Sequence, residues 1–216
     1  MEEMKHLASW VVIGDVVASR RQSDRAGLHA RLVALLEESN RRWGTDLRLT
    51  VGDEYQGTVP GLGVACALTL HLRLALLPDV DVRHGIGWGA TAVLDPGAGI
   101  EDGPGWWAAR AAIEEVATAQ RTPATRAVRT AVRAAEAQGA PPAALLAAVS
   151  AALLGRDALL DGLDARGLSV VRGLLRGMTQ QEIAAQEGVS ASAVSQRVRR
   201  DRTGLLVAAA RQLEAL

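Results

Sequence analysis

The sequence predicts an α+β protein in two parts, a ferredoxin-like antiparallel sheet domain followed by an all-α helix-turn-helix domain. Three observations predict this fold class. In residues 1–120, strand-like and helix-like segments follow the order of a split βαβ unit, whose sheet is covered by helices on one face. From about Thr122 alanine dominates and strand-like segments disappear. Residues 179–200 then hold two short segments with helix-capping residues, joined through Gly188.

Hydrophobic periodicity predicts the elements of the first part in order. Residues 10–14 are apolar throughout and end at Asp15, as expected for a central strand that is buried on both faces. Alternating residues predict the later strands, and the second and third strands form a hairpin that turns within residues 52–54. The later strands are predicted at residues 46–52, 55–59 and 80–88. The helices are predicted at residues 25–42, 63–77 and 103–118.

The remaining chain is predicted to be helical, with helices at residues 124–138, 142–154, 156–164 and 168–175 before the helix-turn-helix. The predicted boundaries are a sheet domain at 1–120, a helical connector at 121–165 and a helix-turn-helix domain at 166–216. An amphipathic helix over residues 205–216 either packs on the helical bundle or pairs with its copy in a dimer.

Charge is distributed unevenly along the chain. Residues 1–118 carry 11 basic and 16 acidic side chains, whereas residues 119–216 carry 13 basic and 8 acidic ones. This asymmetry indicates two domains with different partners, and the basic one is a candidate for binding nucleic acid. The alternative is that both are ordinary solvated surfaces.

Cysteine content and hydropathy exclude several classes of protein. Cys66 is the only cysteine, which rules out an intrachain disulfide or a cysteine zinc site. The apolar run near the N-terminus is too short for a secretory signal, and no run approaches about 18 apolar residues. We therefore expect a cytoplasmic protein without a membrane span.

Two carboxylates are predicted to meet at one end of the sheet. Asp15 ends the first strand, and Asp53 lies in the hairpin turn that this sheet order places beside it. Paired carboxylates suit Mg²⁺ or Mn²⁺, which keep open positions for substrate phosphates. Residues 16–19 would form a loop whose backbone N–H groups hold phosphate. The alternative is that Asp15 only caps the strand and that Asp53 and Glu54 are ordinary turn residues.

Four motifs in this part resemble those of class III adenylyl and guanylyl cyclases. They are Ile-Gly-Asp-Val-Val-Ala-Ser at 13–19, Val-Gly-Asp-Glu-Tyr at 51–55, Val-Arg-His-Gly-Ile-Gly-Trp-Gly at 82–89 and Gly-Pro-Gly-Trp-Trp-Ala-Ala-Arg at 103–110. The second motif also resembles the hairpin of GGDEF diguanylate cyclases. The segments 14–20, 52–57 and 102–110 are still more similar to those of the SatD-like family.

The resemblance implies a set of site residues. Asp15 and Asp53 would hold the metal ion. The residues that would bind nucleotide are Val16, Ser19, Arg20, Gly52, Glu54, Trp106 and Arg110. Cyclases carry an asparagine where this chain has Trp106, and those that select adenine carry a lysine where it has Leu49. These departures favour a degenerate cyclase fold that has been kept as a ligand sensor.

Trp106 and Trp107 are adjacent in a predicted helix, so they point to different sides and cannot both face one core. An exposed tryptophan would stack on a base or pack against a second subunit. The alternative places one ring in the main core and the other against the helical half.

Thr179 and Glu182 form a capping box, Gly188 permits a left-handed turn and Ser190 caps the second helix. With these features, residues 166–202 resemble sigma factor region 4 and LuxR-type helix-turn-helix domains. Val194 and Val198 face inward. The residues predicted to contact DNA are Thr179, Gln180, Ser190, Ser192, Ser195, Gln196, Arg197, Arg199 and Arg200. The alternative is a helical bundle with an exposed basic helix.

These expectations combine into one hypothesis, a homodimeric transcription regulator. Its first domain would bind a nucleotide or cyclic nucleotide, and the second would bind double-stranded DNA. Ligand binding would favour one arrangement of the domains and thereby set DNA affinity. One rival is an active, metal-dependent cyclase or nucleotide transferase fused to a DNA-binding module. Another is a DNA-binding dimer whose first domain only assembles subunits.

Overall fold

The computed structural model describes residues 8–18, 24–50, 52–95, 97 and 99–216. Its strands are β1 (Ala8–Val16), β2 (Arg48–Leu49), β3 (Tyr55–Val59), β4 (Val82–Ala90), β5 (Ala92–Asp95), β6 (Ile100–Asp102) and β7 (Thr130–Ala134). Its helices are α1 (Arg25–Trp43), α2 (Leu62–Leu76), α3 (Pro104–Ala119), α4 (Ala143–Asp161), α5 (Ala165–Leu175), α6 (Gln180–Glu187), α7 (Ala191–Arg200) and α8 (Thr203–Glu214).

The main sheet has the strand order β2-β3-β1-β4-β7. Its first four strands are antiparallel neighbours, with α1 and α2 as the crossovers, and this is the order predicted for a ferredoxin-like unit. β7 then adds a parallel strand beside β4, so the sheet is mixed. β5 and β6 form a separate hairpin that the periodicity did not reveal.

β7 replaces the helix predicted at residues 124–138. Alanine favours helix, but burial along this segment has the period of a strand. Thr130 and Val132 are buried, whereas Ala131 is half-buried and Arg133 is exposed. Pairing with β4 therefore outweighs the local helix propensity. The second half of the chain is consequently not all-α.

Helices cover both faces of the sheet, where one covered face was predicted. Val12 and Val16 of β1 face α1 and α2, whereas Val11 and Ile13 pack with residues of α3. α3 lies unusually close to β4. A Cβ atom placed on Gly87 would come within 2.3 Å of a backbone oxygen of α3. Because glycine has no side chain, the backbone of this helix can rest directly on the strand.

α2 is shared between the sheet and the C-terminal helices. Leu70 and Leu74 of α2 are buried in one cluster with Val171 of α5 and Leu206 of α8. The apolar face of α8 thus packs on the bundle, which is one of the two arrangements considered from the sequence. Both halves of the chain therefore contribute buried residues to one hydrophobic cluster.

A buried ionic network also joins the halves. Arg73 of α2 donates to Asp81 at 2.8 Å and to Asp157 of α4 at 3.2 Å. Asp157 is fully buried and accepts the backbone N–H groups of Arg129 and Thr130 at 2.7 and 2.8 Å. Buried charges are tolerated only when they are paired in this way. The network fixes α4 against α2 and the start of β7.

α4 is a single helix, although two helices were predicted across it. Among the described residues it is one helix whose length and composition would allow a membrane span. It nevertheless carries Arg156 and Asp157, which are buried and bonded to α2 and β7. In this structure one face of α4 is packed against the fold through Val149, Leu153 and Leu160 as well.

Candidate functional site

The end of the sheet near Asp15 carries a pair of opposite charges. Asp15 lies within β1 and stands directly opposite Arg83 of β4 in the strand register. Arg83 Nε and Nη2 donate to the two carboxylate oxygens of Asp15 at 2.6 and 2.7 Å. Such a bidentate pair is strong and fixed in orientation. Both oxygens of the predicted metal ligand are therefore already engaged.

A second bidentate pair links the hairpin to α3. Glu54 follows the turn at Gly52 and Asp53, and Arg110 projects from α3. Arg110 Nη1 and Nη2 donate to the Glu54 carboxylate at 2.8 and 2.7 Å. The structure thus pairs two residues that the resemblance assigned to nucleotide binding, Glu54 and Arg110, with each other.

The charged residues at this end of the sheet interact electrostatically. We name them the acidic cluster, which consists of Asp15, Asp53, Glu54, Arg83 and Arg110. Burial raises the pKa of Asp15, Arg83 opposes this change, and the carboxylates of Asp53 and Glu54 raise the pKa further. The bond to Asp15 raises the pKa of Arg83, and the bond to Glu54 raises that of Arg110. Asp53 makes no hydrogen bond or ion pair with any other described residue. It is therefore the carboxylate that remains available to a ligand.

A cleft of about 280 Å³ lies beside Asp53. The turn at Gly52 and Asp53 forms one wall, and Arg25 and His29 at the start of α1 form another. Asp24 caps α1 by accepting the N–H of Gly27 at 2.8 Å. A helix N-terminus with a basic side chain favours an anionic group.

The predicted phosphate loop is only partly described. Val16 is buried in the core, and the N–H group of Val17 donates to the Asp81 carbonyl at 2.9 Å. The Val16 side chain and this N–H are therefore unavailable to a phosphate. Ser19 and Arg20 lie outside the described residues. Gly52 is exposed in the hairpin turn with a φ of +74°, a conformation that favours glycine.

The two tryptophans of α3 face different sides of the helix, as their adjacency predicted. Trp106 is only 6% exposed and packs on Val11 and Ile13, which removes its indole from the acidic cluster. Trp107 is 61% exposed, and its Nε1 donates to Asp102 at 2.7 Å. The nucleotide-binding role predicted for Trp106 is therefore not compatible with its position.

Arg83 is the residue of this region that sequence reasoning missed. It alternates with Gly85 and Gly87 along β4, so all three share the face that α3 covers. Arg83 reaches Asp15 because the two residues are directly opposite each other in the β1–β4 register. The alternation of Arg83 with two glycines can be read from the sequence, but its pairing with Asp15 cannot.

The acidic cluster fits a metal ion poorly as it stands. The described part of the chain contains no group of three or more His, Cys, Asp or Glu side chains placed to hold a metal ion. Asp15 already shares both oxygens with Arg83, whose positive charge would repel a cation. A divalent ion could bridge Asp15 and Asp53 only after Arg83 had moved away.

The second candidate region is formed by α6, α7 and the turn between them. Thr179 Oγ1 accepts the N–H of Glu182 at 3.2 Å, and Glu182 accepts the N–H of Thr179 at 2.7 Å. Gly188 has a φ of +64°, and Ser190 caps α7 by accepting the N–H of Ala193 at 3.1 Å. Each of these capping interactions was predicted from the sequence.

The apolar residues of this region form a small core of their own. Val170, Ile183, Ala184 and Val194 are buried together, with Val189 and Val198 packed against them. The opposite face of α7 exposes Ser192, Gln196, Arg199 and Arg200. The inward and outward faces of α7 are therefore those predicted.

The remaining predicted DNA contacts differ in availability. Thr179 and Ser190 are exposed caps, and Gln180 and Ser195 are half-buried. Arg197 is held by Asp164 at 2.6 Å and by Asp201 at 3.1 Å. These two ion pairs make Arg197 a residue that positions α7. Arg200 also pairs with Asp201, at 2.7 Å, but two thirds of its side chain stays exposed.

Several solved structures are similar to parts of this fold. The guanylyl cyclase domain of the RhoGC fusion protein from Blastocladiella emersonii is 18% identical, with a TM-score of 0.41, over 50% of this chain and 74% of that one. The adenylyl cyclase CyaB from P. aeruginosa is 13% identical, with a TM-score of 0.36, over 48% and 69%. A regulator of polyketide synthase expression from Bifidobacterium adolescentis is 14% identical, with a TM-score of 0.26, over 97% and 86%. Likeness at this level carries no conclusion about activity.

Sequence comparison gives a firmer result at the level of the family. No curated protein matches the chain. The model of the SatD family, in contrast, matches residues 10–212. Since that match spans nearly the whole sequence, the chain belongs to the SatD family.

Proposed function

We propose that this protein is a DNA-binding regulator that contacts double-stranded DNA through α7. The observation that carries the proposal is the pair α6 and α7, capped and joined through Gly188, with one face in a core and the other exposed and basic. A helix of 10 residues is about 15 Å long and fits the major groove. The basic excess of residues 119–216 agrees with a polyanionic partner.

The outer face of α7 suits a division of roles. Gln196 and Ser192 can form hydrogen bonds with base edges, and Arg199 and Arg200 can contact phosphates or guanine. Arg197 would keep α7 fixed to Asp164 and Asp201 during binding. The caps Thr179 and Ser190 would face the DNA backbone at the starts of the two helices.

The test is DNA affinity as a function of salt. We expect Arg199→Ala with Arg200→Ala to weaken binding to a random-sequence duplex and to lower the salt slope by about two, measured by fluorescence anisotropy at roughly 50 to 200 mM salt. The matched control is Arg121→Ala with Arg126→Ala, two exposed arginines in the turns before β7. Equal slopes for both double variants would overturn the assignment of α7.

We further propose that the acidic cluster and its neighbouring cleft bind a nucleotide. Asp53 has no hydrogen-bond or ion-pair partner among the described residues, and Arg25 and His29 line the same cleft, which suits the phosphates of an anionic ligand. Asp53 is the residue that would hold Mg²⁺ or Mn²⁺ brought by these phosphates, and Asp15 could contribute only without its pair with Arg83. Turnover should be weak for two reasons. Asp15 is held by Arg83, and polar groups that cyclases use are replaced here by Leu49 and Trp106.

Calorimetry with ATP and GTP, each with and without Mg²⁺, tests this proposal. Asp53→Asn together with Asp15→Asn should abolish magnesium-dependent binding and leave DNA binding unchanged. Binding that survives both changes would place the ligand elsewhere. Rapid formation of a cyclic nucleotide in the presence of Mn²⁺ would instead favour the rival reading, an active cyclase.

We propose a homodimer whose interface includes Trp107. This ring is exposed on α3, close in sequence to the β5–β6 hairpin, which exposes Leu94 and Ile100. Exposed apolar residues that are near one another commonly mark an interface. Sedimentation at micromolar concentration should show a dimer that Trp107→Ser weakens, whereas a monomer with and without DNA would contradict it.

A further inference from the structure

A second cleft of about 280 Å³ lies where the sheet layer meets the C-terminal helices. α1 and α2 form one side, and α5 and α8 form the other, so we name it the interlayer cleft. Its floor is apolar and includes Leu70, Leu74, Leu175 and Ala210. It shares no lining residue with the acidic cluster or with the cleft beside Asp53.

One wall of the interlayer cleft is aromatic. Trp43 and His71 meet edge to face, with ring centroids 5.0 Å apart. The Arg42 guanidinium lies 4.3 Å from the centroid of the Trp43 ring. Burial and the nearby Arg42 lower the pKa of His71, so this histidine is neutral near pH 7. The Trp43 and His71 rings can therefore pack against a flat ring, with Arg42 as the charged side chain of this wall.

The mouth of the interlayer cleft carries an excess of positive charge. Arg42, Arg172 and Arg176 line it, opposed by Glu38 and Glu214. With His71 neutral, the lining has a net charge close to that of one cation. Arg176 is exposed and makes no hydrogen bond or ion pair with another described residue. It is thus a cation without a fixed partner at the entrance.

Arg172 is held in a fixed position at this mouth. Its Nε donates to the Leu74 carbonyl at 2.8 Å, and its Nη2 donates to the carbonyls of Leu74 and Leu77. Partial burial, together with Arg31 and Arg176, lowers the pKa of Arg172. Because burial and two neighbouring arginines cause this shift, a negative charge beside the guanidinium would be favourable.

We propose that the interlayer cleft binds a small aromatic monocarboxylate. The carboxylate would lie between Arg172 and Arg176, and the ring would lie on Leu70 and Leu74 against the wall formed by Trp43. The volume is at the small end of ligand sites, and one net positive charge suits a monoanion better than a nucleotide with several phosphates. Because both layers contribute walls, a bound ligand would hold them in one arrangement.

The test compares benzoate, phenylacetate and indole-3-acetate with their uncharged amides, using the full chain. At least one acid should raise the thermal unfolding midpoint at millimolar concentration and give a calorimetric binding isotherm, whereas its amide should not. If no acid binds better than its amide, the proposal is wrong. This result does not depend on DNA or nucleotide binding, since neither is present in the experiment.

Two variants locate the binding to the interlayer cleft. Arg176→Ala should weaken binding of the acid about tenfold, since it removes a charge-assisted contact. Arg41→Ala is the matched control, because Arg41 is also exposed but does not line the cleft. Ala75→Phe, which fills the cleft from α2, should abolish binding without loss of helical circular dichroism. Unchanged affinity in Arg176→Ala and Ala75→Phe would place the acid elsewhere and overturn the proposal.

Discussion

The acidic cluster and the α6–α7 region differ in how far apart in the chain their contacts lie. The caps of α6 and α7 join residues three positions apart, such as Thr179 and Glu182. The pairs of the acidic cluster join residues 68 and 56 positions apart, Asp15 with Arg83 and Glu54 with Arg110. The first region is thus specified by local chemistry and the second by the assembled sheet.

The two regions should therefore respond differently to a ligand that shifts the sheet or α3. A locally specified surface such as the outer face of α7 keeps its geometry as long as its caps persist. The acidic cluster forms only when β1, β4, the β2–β3 hairpin and α3 are correctly packed. Any shift of α3 therefore moves Arg110 directly. A ligand that moves these elements could therefore change this cluster more easily than it changes α7.

The largest expected effect concerns the buried ionic network that joins the two halves of the chain through α2 and α4. Asp157→Ala should lower the free energy of unfolding by about 3–5 kcal/mol, because Arg73 and two backbone N–H groups would lose a buried partner. Urea unfolding followed by tryptophan fluorescence measures this. The control is Asp161→Ala in the same helix, since Asp161 is partly exposed and lies 3.9 Å from Arg129. A loss equal to that of the control would show that the network does not join the layers.

The next effect tests the close approach of α3 to β4. Gly87→Ala should cost about 1–3 kcal/mol, because its Cβ would lie 2.3 Å from the Gly105 carbonyl oxygen and would push α3 away. Gly155→Ala in α4 is the control, since nothing lies within 4 Å of its Cβ position, and it should stabilise by up to about 1 kcal/mol. Similar effects of both variants in chemical unfolding would contradict this packing.

Local pattern accounts for most of what the sequence predicted correctly. The strand at β1, the helices α1, α2 and α3, and the caps at Thr179 and Ser190 follow from periodicity and capping chemistry within a few residues. β7 was missed because its alanines favour helix in isolation and only the neighbouring β4 selects the strand. The Arg83 partner of Asp15 was missed for a similar reason, since the register of β1 and β4 is a tertiary property.

A smaller effect tests whether Arg83 takes the place of a cation beside Asp15. Arg83→Met would leave the carboxylates of Asp15, Asp53 and Glu54 without that guanidinium, and they would repel one another. Stability should fall by about 1–2 kcal/mol, and millimolar Mg²⁺ should restore part of it in thermal unfolding.

The control for Arg83→Met is Arg133→Ala, which removes an exposed pair with Glu115 and should change stability by less than about 1 kcal/mol. Wild-type protein should gain little from Mg²⁺ alone, because Arg83 already neutralises Asp15. A gain in the wild type as large as that in Arg83→Met would show that Arg83 does not compete with a cation.

The smallest expected effect concerns the capping box of α6. Thr179→Ala should cost about 1 kcal/mol, because the first turn of α6 would lose the Oγ1 acceptor for the Glu182 N–H group. The bonds from Thr179 lower the pKa of Glu182. Alanine keeps the backbone N–H of Thr179, which is the larger cause, but removes the hydroxyl that also donates to the Glu182 carboxylate at 2.9 Å. Since the folded pKa is lowered, the stabilisation from this hydroxyl bond is present above the unfolded pKa of Glu182 and is lost as pH falls through the folded value. The cost of Thr179→Ala should therefore be largest near neutral pH and shrink in acid.

Hydrogen exchange should show the loss in α6 and α7 while β1 and β4 stay protected, because the capping box is local. Equal loss of protection in the sheet would show that the two regions are not specified independently.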